Sequence, residues 1–227
     1  MTDKNSLESL IFLHPPKNPM PKLISLHRSN RSGPRVDFHP TLTEVFSTEP
    51  LIKPSKILLT GGMSNMKRQV FFTQLGGFDT HSDELSGQTT LLSQVSAAIN
   101  AFFAATVELG VADKVTTFTM SDFGRTLQPS GTGTQVGSDH GWGNHQFIIG
   151  GSVLGHTNYG TYPTLALGGP NDTDSGTSPR GRWIPTTSVE QYAATLASWY
   201  GLSSADLTAV FPLIGRFSSS NLGFLSS

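Results

Sequence analysis

From residue 69 onward the apolar positions fall into runs whose periods can be read directly. Residues 69–75 (QVFFTQL) are rich in aromatic and β-branched side chains and stop at Gly76-Gly77, the pattern of a buried strand. Between Ser86 and Leu109, the residues Leu91, Leu92, Val95, Ile99, Phe102, Phe103 and Val107 recur at spacings of three and four. This predicts a long helix with one apolar face, ended by Gly110. Residues 114–120 (KVTTFTM) read as a second strand and 146–149 (QFII) as a third. Strand, helix, strand is a βαβ unit, so the expected fold is α/β with a mainly parallel sheet and a right-handed crossover. A Gly-rich loop spans 168–182, and a last long helix begins at Thr187-Ser188, where Thr187 and Glu190 suggest a capping box. Val189, Tyr192, Leu196 and Tyr200 share its face, Gly201 ends it, and Ser203 is placed to cap a short helix over 205–211.

Residues 1–56 follow another grammar. Eight of the 14 prolines lie in the first 54 residues, removing backbone donors and disfavouring helix before them. This segment reads as an irregular, basic leader with a short helix near 41–46, and residues 57–227 as the folded part. Residues 1–70 hold 10 Lys/Arg against 5 Asp/Glu, whereas residues 71–227 hold 5 against 11. The two excesses nearly cancel at a net charge of −1, which gives no global reason to expect nucleic acid or a membrane surface. With no cysteine, disulfides and thiolate metal sites are excluded. No run of about 18 or more apolar residues predicts a membrane span, and LIFL at 10–13 is too short for a signal-peptide core.

Candidate chemistry gathers in three polar clusters: GGFDTH at 76–81, SDFGR at 121–125 and DHGWGNH at 139–145. They hold Asp79, His81, Asp122, Asp139, His140 and His145, the oxygen and nitrogen donors that bind zinc, manganese or iron. The first two follow strands directly, and ligands of α/β sheets gather at the carboxyl ends of strands. Asp79 and His81, two apart in extended backbone, could grip one ion, with Asp122 within reach and His140 or His145 brought in by a Gly-rich loop. A structural reading stands beside this one. Asp79, Thr80, Ser82 and Asp83 are all competent helix caps, Asp122 could cap a turn, and Trp142 could anchor a core.

Arg125 is a candidate for binding the anion of a substrate, or equally a partner for a nearby carboxylate. Arg180 and Arg182, flanking a Gly, read as solvent-exposed, with phosphate contact as the alternative, and His156 reads as structural or surface. Ser121 and Thr80 are the nucleophile candidates, but neither sits in a GxSxG elbow or beside an evident base, and no phosphate-binding or dinucleotide loop is present.

The strings GGFDTH, AFFAATVELG, TTFTMSDFGRT, DHGWGNHQFIIGGSVLG and IPTTSVEQYAATLASWYG, in this order over about residues 57–217, resemble the bacterial "domain of unknown function 1501" family. That family is similar to the alkaline phosphatase and sulfatase superfamily, whose members cleave phosphate or sulfate esters at a two-metal site. The resemblance implies a three-layer α/β/α fold and a divalent metal, zinc first, with manganese, calcium or magnesium as alternatives. It also implies a small anionic ester as substrate. Asp79 and His81 match ligands of the first metal, His140 or His145 its distant third ligand, and Asp122 a carboxylate of the second. Superfamily enzymes often follow that aspartate with histidine, where this chain has Phe123, and residues 1–56 show no counterpart of the first-strand metal ligand or nucleophile. The expectation is therefore the C-terminal half of such a domain, incomplete as a hydrolase and prone to self-association or in need of a complementing partner. The alternatives are a non-catalytic metal-binding or structural module and a truncated gene product. Longer family members often begin with a twin-arginine export signal, which this chain does not show.

Overall fold

The computed structural model describes residues 6–13, 68–174 and 176–226. Strand β1 (Ser6–Leu13) lies between β2 (Gln69–Gly76) and β3 (Val115–Ser121), and β6 (Ile148–Gly150) completes a sheet of order β2-β1-β3-β6. Helix α1 (Glu84–Glu108) and a short 3-10 turn (Ala112–Lys114) connect β2 to β3. Two two-residue strands, β4 (Gly124–Arg125) and β5 (His140–Gly141), pair with each other at the head of the sheet. Helices α2 (Val189–Tyr200) and α3 (Ser204–Val210) close the chain, followed by a 3-10 turn at Ile214–Arg216.

The fold is mixed α/β as expected, but the sheet is not mainly parallel: every pairing in it is antiparallel. For β2 and β3 the physical reason is β1, while β6 returns antiparallel beside β3. Strand β1 pairs antiparallel with both β2 and β3, so those two strands run in the same direction without touching. The strand–helix–strand pattern predicts direction correctly, but local periodicity cannot reveal a strand inserted from the far N-terminal segment. Part of the segment read as irregular, Ser6–Leu13, is thus a central strand. The short helix expected at 41–46 lies outside the described residues.

Register fixes where the site forms. Ser6 pairs with Gly76 and Leu7 with Ser121, so the carboxyl ends of β2 and β3 reach the same end of the sheet. GGFDTH and SDFGR leave the sheet side by side.

Phe102 of α1 packs with Val115 of β3, supported by Phe71 and Val111. By length and composition alone α1 could cross a bilayer, which the absence of an unbroken apolar run did not suggest. Its stripe of Ala98, Ala101, Phe102, Ala105 and Thr106 is buried, the pattern of a helix docked on a sheet. A second core joins Phe118, Leu196 and Phe224, and a third joins Ala194, Leu207 and Ile214. Within the second, Tyr192 donates its hydroxyl to Thr119 O at 3.2 Å, and burial pushes its pKa up.

Helix α2 starts one residue later than Thr187 and Glu190 imply. Ser188 is the N-cap, its hydroxyl accepting from Gln191 N while Gln191 Oε1 accepts from Ser188 N. Gly201 ends it in the left-handed region at φ 109°, and Ser203 caps α3 by accepting from Asp206 N.

Candidate metal centre

The first wall of the site is the turn between β2 and α1. Thr80 is buried, and its Oγ1 accepts from Gln88 Nε2 at 3.0 Å, tying the turn to the helix. Thr80 N donates to Phe78 O and His81 N to Asp79 O, which curls the backbone so that both flanking side chains face outward together. Asp83 occupies the N-cap position in a left-handed conformation, φ 48°, that aspartate tolerates better than most residues. Its side chain makes no cap bond. Instead, Asp83 N and Glu84 N donate to the carbonyls of Gln135 and Val136, so a distant loop satisfies the helix start.

That loop is the second wall. Ser138 N donates to Thr80 O, and a bridge joins Ser82 to Val136. The approach is so close that a Cβ on Gly137 would lie 2.1 Å from the His81 carbonyl carbon and 2.2 Å from Thr80 O. Beyond it, β5 pairs with β4 so that His140 stands opposite Arg125, and Thr126 N donates to Asp139 O at 2.8 Å. Residues opposite one another in an antiparallel pair project to the same face, so His140 shares a face with Arg125, and the 139–145 loop meets the 76–81 turn at one atom.

That atom is Asp79 Oδ1. His81 Nε2 lies 2.8 Å from it, His140 Nε2 2.7 Å and Arg125 Nη1 3.2 Å. Burial works against the charge on Asp79, but the hydrogen bond with His140, the charge of His81 and the hydrogen bond from Arg125 outweigh it. Together they hold the carboxyl below its ordinary pKa. The ligand atoms of Asp79, His81 and His140 all fall within 4.8 Å of one another. A tetrahedral zinc with ligand bonds of about 2.0–2.1 Å keeps its donors roughly 3.3 Å apart, so the two separations from Asp79 Oδ1, 2.8 and 2.7 Å, each open by less than about 1 Å to fit such an ion. An imidazole, imidazole, carboxylate set matches zinc, manganese or iron, whereas calcium and magnesium prefer oxygen alone.

The other sequence candidates are distributed around this triad. Asp122 is exposed and His145 stacks on Tyr162 at 5.1 Å between centroids; neither joins the triad among the described residues. Phe123 stacks on His140, with centroids 4.1 Å apart and planes 10° apart, so it is a platform for a triad histidine. Arg125 is mostly buried and donates to Asp79, to Ser138 Oγ and to Ser138 O, with Glu84 at 3.9 Å. Its guanidinium is therefore spent largely within the protein, the carboxylate-partner role. Of the hydroxyls, Ser121 donates to Phe123 O and Thr80 accepts from Gln88.

The loop at 168–182 holds what the sequence did not reveal. Asp172 accepts four backbone N–H groups, from Gly168, Asp174, Gly181 and Arg182, a cage that outweighs its burial and lowers its pKa. The folded loop delivers Arg180 Nη2 to 2.8 Å from Asp139 Oδ2, and Arg182 Nε donates to His140 O. Arg180 and Arg182, expected in solvent, are part of the site's rim. The Gly-Pro-Asn-Asp string marks a turn, but the pairing partner of each arginine depends on tertiary placement.

The family model described as "Protein of unknown function (DUF1501)" matches residues 41–177, more than half of the chain. It begins within the segment read as a leader and spans all three members of the triad. No curated protein and no solved structure matches the chain.

Proposed function

We propose that this chain, which belongs to the DUF1501 family, is a metal-binding, hydrolase-like protein of the alkaline phosphatase and sulfatase type. Small phosphate or sulfate esters are its proposed substrate class. The observation that carries the proposal is the convergence of Asp79, His81 and His140 within 4.8 Å at the shared carboxyl end of β2 and β3. Kinship to the superfamily draws support from that placement and from the helix crossing between two strands of common direction, despite the antiparallel β1.

Zinc is the proposed ion, with manganese next, held by Asp79 Oδ1, His81 Nε2 and His140 Nε2. Such an ion supplies Lewis acidity to an ester oxygen. The chain's own residues orient the site: Phe123 backs the His140 ring, and Arg125 offsets the negative charge of Asp79. The N–H groups of Arg125 not used by Asp79 and Ser138 are the proposed contact for the ester anion.

A second reading, a metal-binding module without turnover, is favoured by specific observations. Asp122 stands exposed, Phe123 occupies the place after it, and the hydroxyls of Thr80 and Ser121 are engaged elsewhere.

Metal analysis of wild type beside Asp79→Ala, His81→Ala and His140→Ala, with turnover of aryl phosphate and aryl sulfate, separates these readings. Wild-type ion content lost in all three variants, with turnover abolished by chelation, supports the hydrolase. Bound ion without turnover selects the module. Wild type carrying no more ion than the variants refutes both.

A further inference from the structure

The metal reading leaves Asp139 without a task, although it sits beside the triad and is held from several sides. Its Oδ2 receives Arg180 Nη2 at 2.8 Å, with Arg182 Nη2 at 4.0 Å. Its Oδ1 accepts from Ser130 Oγ at 3.2 Å and faces His81 Nδ1 at 3.7 Å. Its backbone is pinned as well, the N–H donating to Thr126 Oγ1 and the carbonyl accepting from Thr126 N. A carboxylate so fixed on both oxygens has a defined orientation before anything binds.

Its position relative to the His81 ring decides what it can do. Asp79 Oδ1 lies 2.8 Å from Nε2, whereas Asp139 Oδ1 lies on the Nδ1 side. The two imidazole nitrogens point away from one another, so Asp139 cannot share the ion with Asp79 and His140. A histidine that gives its Nε2 lone pair to a metal carries its proton on Nδ1, and the partner of that proton selects the tautomer and the ring orientation. Ser130 at Oδ1 and Arg180 and Arg182 at Oδ2 together hold both oxygens of Asp139, so tightening the 3.7 Å approach into a hydrogen bond calls for movement of the ring rather than of the carboxylate.

We infer that Asp139 is the positioning residue of the metal centre, accepting from His81 Nδ1–H so that Nε2 is presented to the ion. Arg180, from the 168–182 loop, is the clamp that keeps the carboxylate turned toward His81. The inference rests on the metal reading above and adds to it a dependence on a residue outside the triad. It also assigns the loop a purpose: the Asp172 cage shapes the segment that carries Arg180 to Asp139.

Zinc affinity of wild type, Asp139→Asn and His81→Ala, by competition with a chromophoric chelator, is the test. Nitrogen-15 spectra of the histidine rings of zinc-loaded wild type accompany it, with His81 assigned by its absence from His81→Ala. Asp139→Asn is expected to bind zinc about 10–100-fold more weakly than wild type, the usual cost of losing such a partner. The wild-type spectrum is expected to show His81 protonated on Nδ1 and ligated through Nε2. Wild-type affinity in Asp139→Asn, or ligation of His81 through Nδ1, overturns the positioning role and leaves the metal site standing. The spectrum decides even if Asp139→Asn fails to fold. Wild type binding no more zinc than His81→Ala brings down the metal reading and this inference together.

Discussion

Gly137→Ala should dismantle the centre without touching a ligand. The added Cβ would stand 2.1 Å from the His81 carbonyl carbon and 2.2 Å from Thr80 O, both backbone atoms that no rotamer change can move. To reach even 3.0 Å, closer than most real contacts, the two walls must separate by about 0.9 Å. Asp83 N→Gln135 O, Glu84 N→Val136 O and Ser138 N→Thr80 O span that gap at 3.2, 3.1 and 3.3 Å, and such a shift takes all of them past hydrogen-bond range. At roughly 0.5–1.5 kcal/mol each, the loss of all three costs about 1.5–4.5 kcal/mol. For a domain of this size that lowers Tm by roughly 3–18 °C. Because the same gap separates Asp79 and His81 from the β5 strand carrying His140, zinc affinity should fall at least about 10-fold, as it does when a ligand's support is removed. Gly215→Ala is the control, since its added Cβ meets nothing within 4 Å. Thermal melting of the apo forms and zinc competition on all three proteins provide the measurement. A Gly137→Ala protein that melts and binds zinc like wild type would refute the claim that this close approach holds the site together.

Two further outcomes follow from the same structure. The carboxyl of Asp79 is held below its ordinary pKa, so it stabilises the fold above its unfolded value of about 4, and that contribution is lost as pH falls through the lower folded value. Urea midpoints between pH 6 and 3 should therefore decline more steeply in wild type than in Asp79→Asn and converge at the acid end; parallel curves would contradict this. Ser188→Ala removes the side-chain half of the α2 capping box and should cost about 1 kcal/mol in chemical denaturation. Thr187→Ala should cost less than half as much, and the reverse order would put the cap back where the sequence pattern suggested it.

The parts of the fold legible in the sequence are those set by local physics. The long helix and the closing helices follow from the 3.6 period and from Gly110 and Gly201 at the stops, and the strand at 115–121 from its β-branched and aromatic run. Ser6–Leu13 was hidden because a strand's membership of a sheet depends on partners, here Gln69–Gly76 and Val115–Ser121, more than 50 residues away. The choice between Thr187 and Ser188 as cap was equally underdetermined. Both have a suitable residue three positions on, and the extended conformation of Ser188, ψ 151°, decides it.

The same division runs through the site. Asp79 and His81 are neighbours in sequence, so their spacing alone announced a pair. His140 could be named only together with His145, because nothing local distinguishes two histidines of one Gly-rich loop. The distinction is made by β5, whose pairing sets His140 opposite Arg125 while His145 runs on to Tyr162. Asp122 followed β3 as directly as Asp79 followed β2, yet proximity to a strand end places a residue near an edge without aiming its side chain. Arg125 makes the point most sharply. Its charge suited an anion from outside and a nearby carboxylate equally, and the structure sets Asp79 beside it, where its hydrogen bond joins the effects of His140 and His81 in lowering the carboxyl's pKa. A site of this kind is specified by pairs, and the sequence displays only the members.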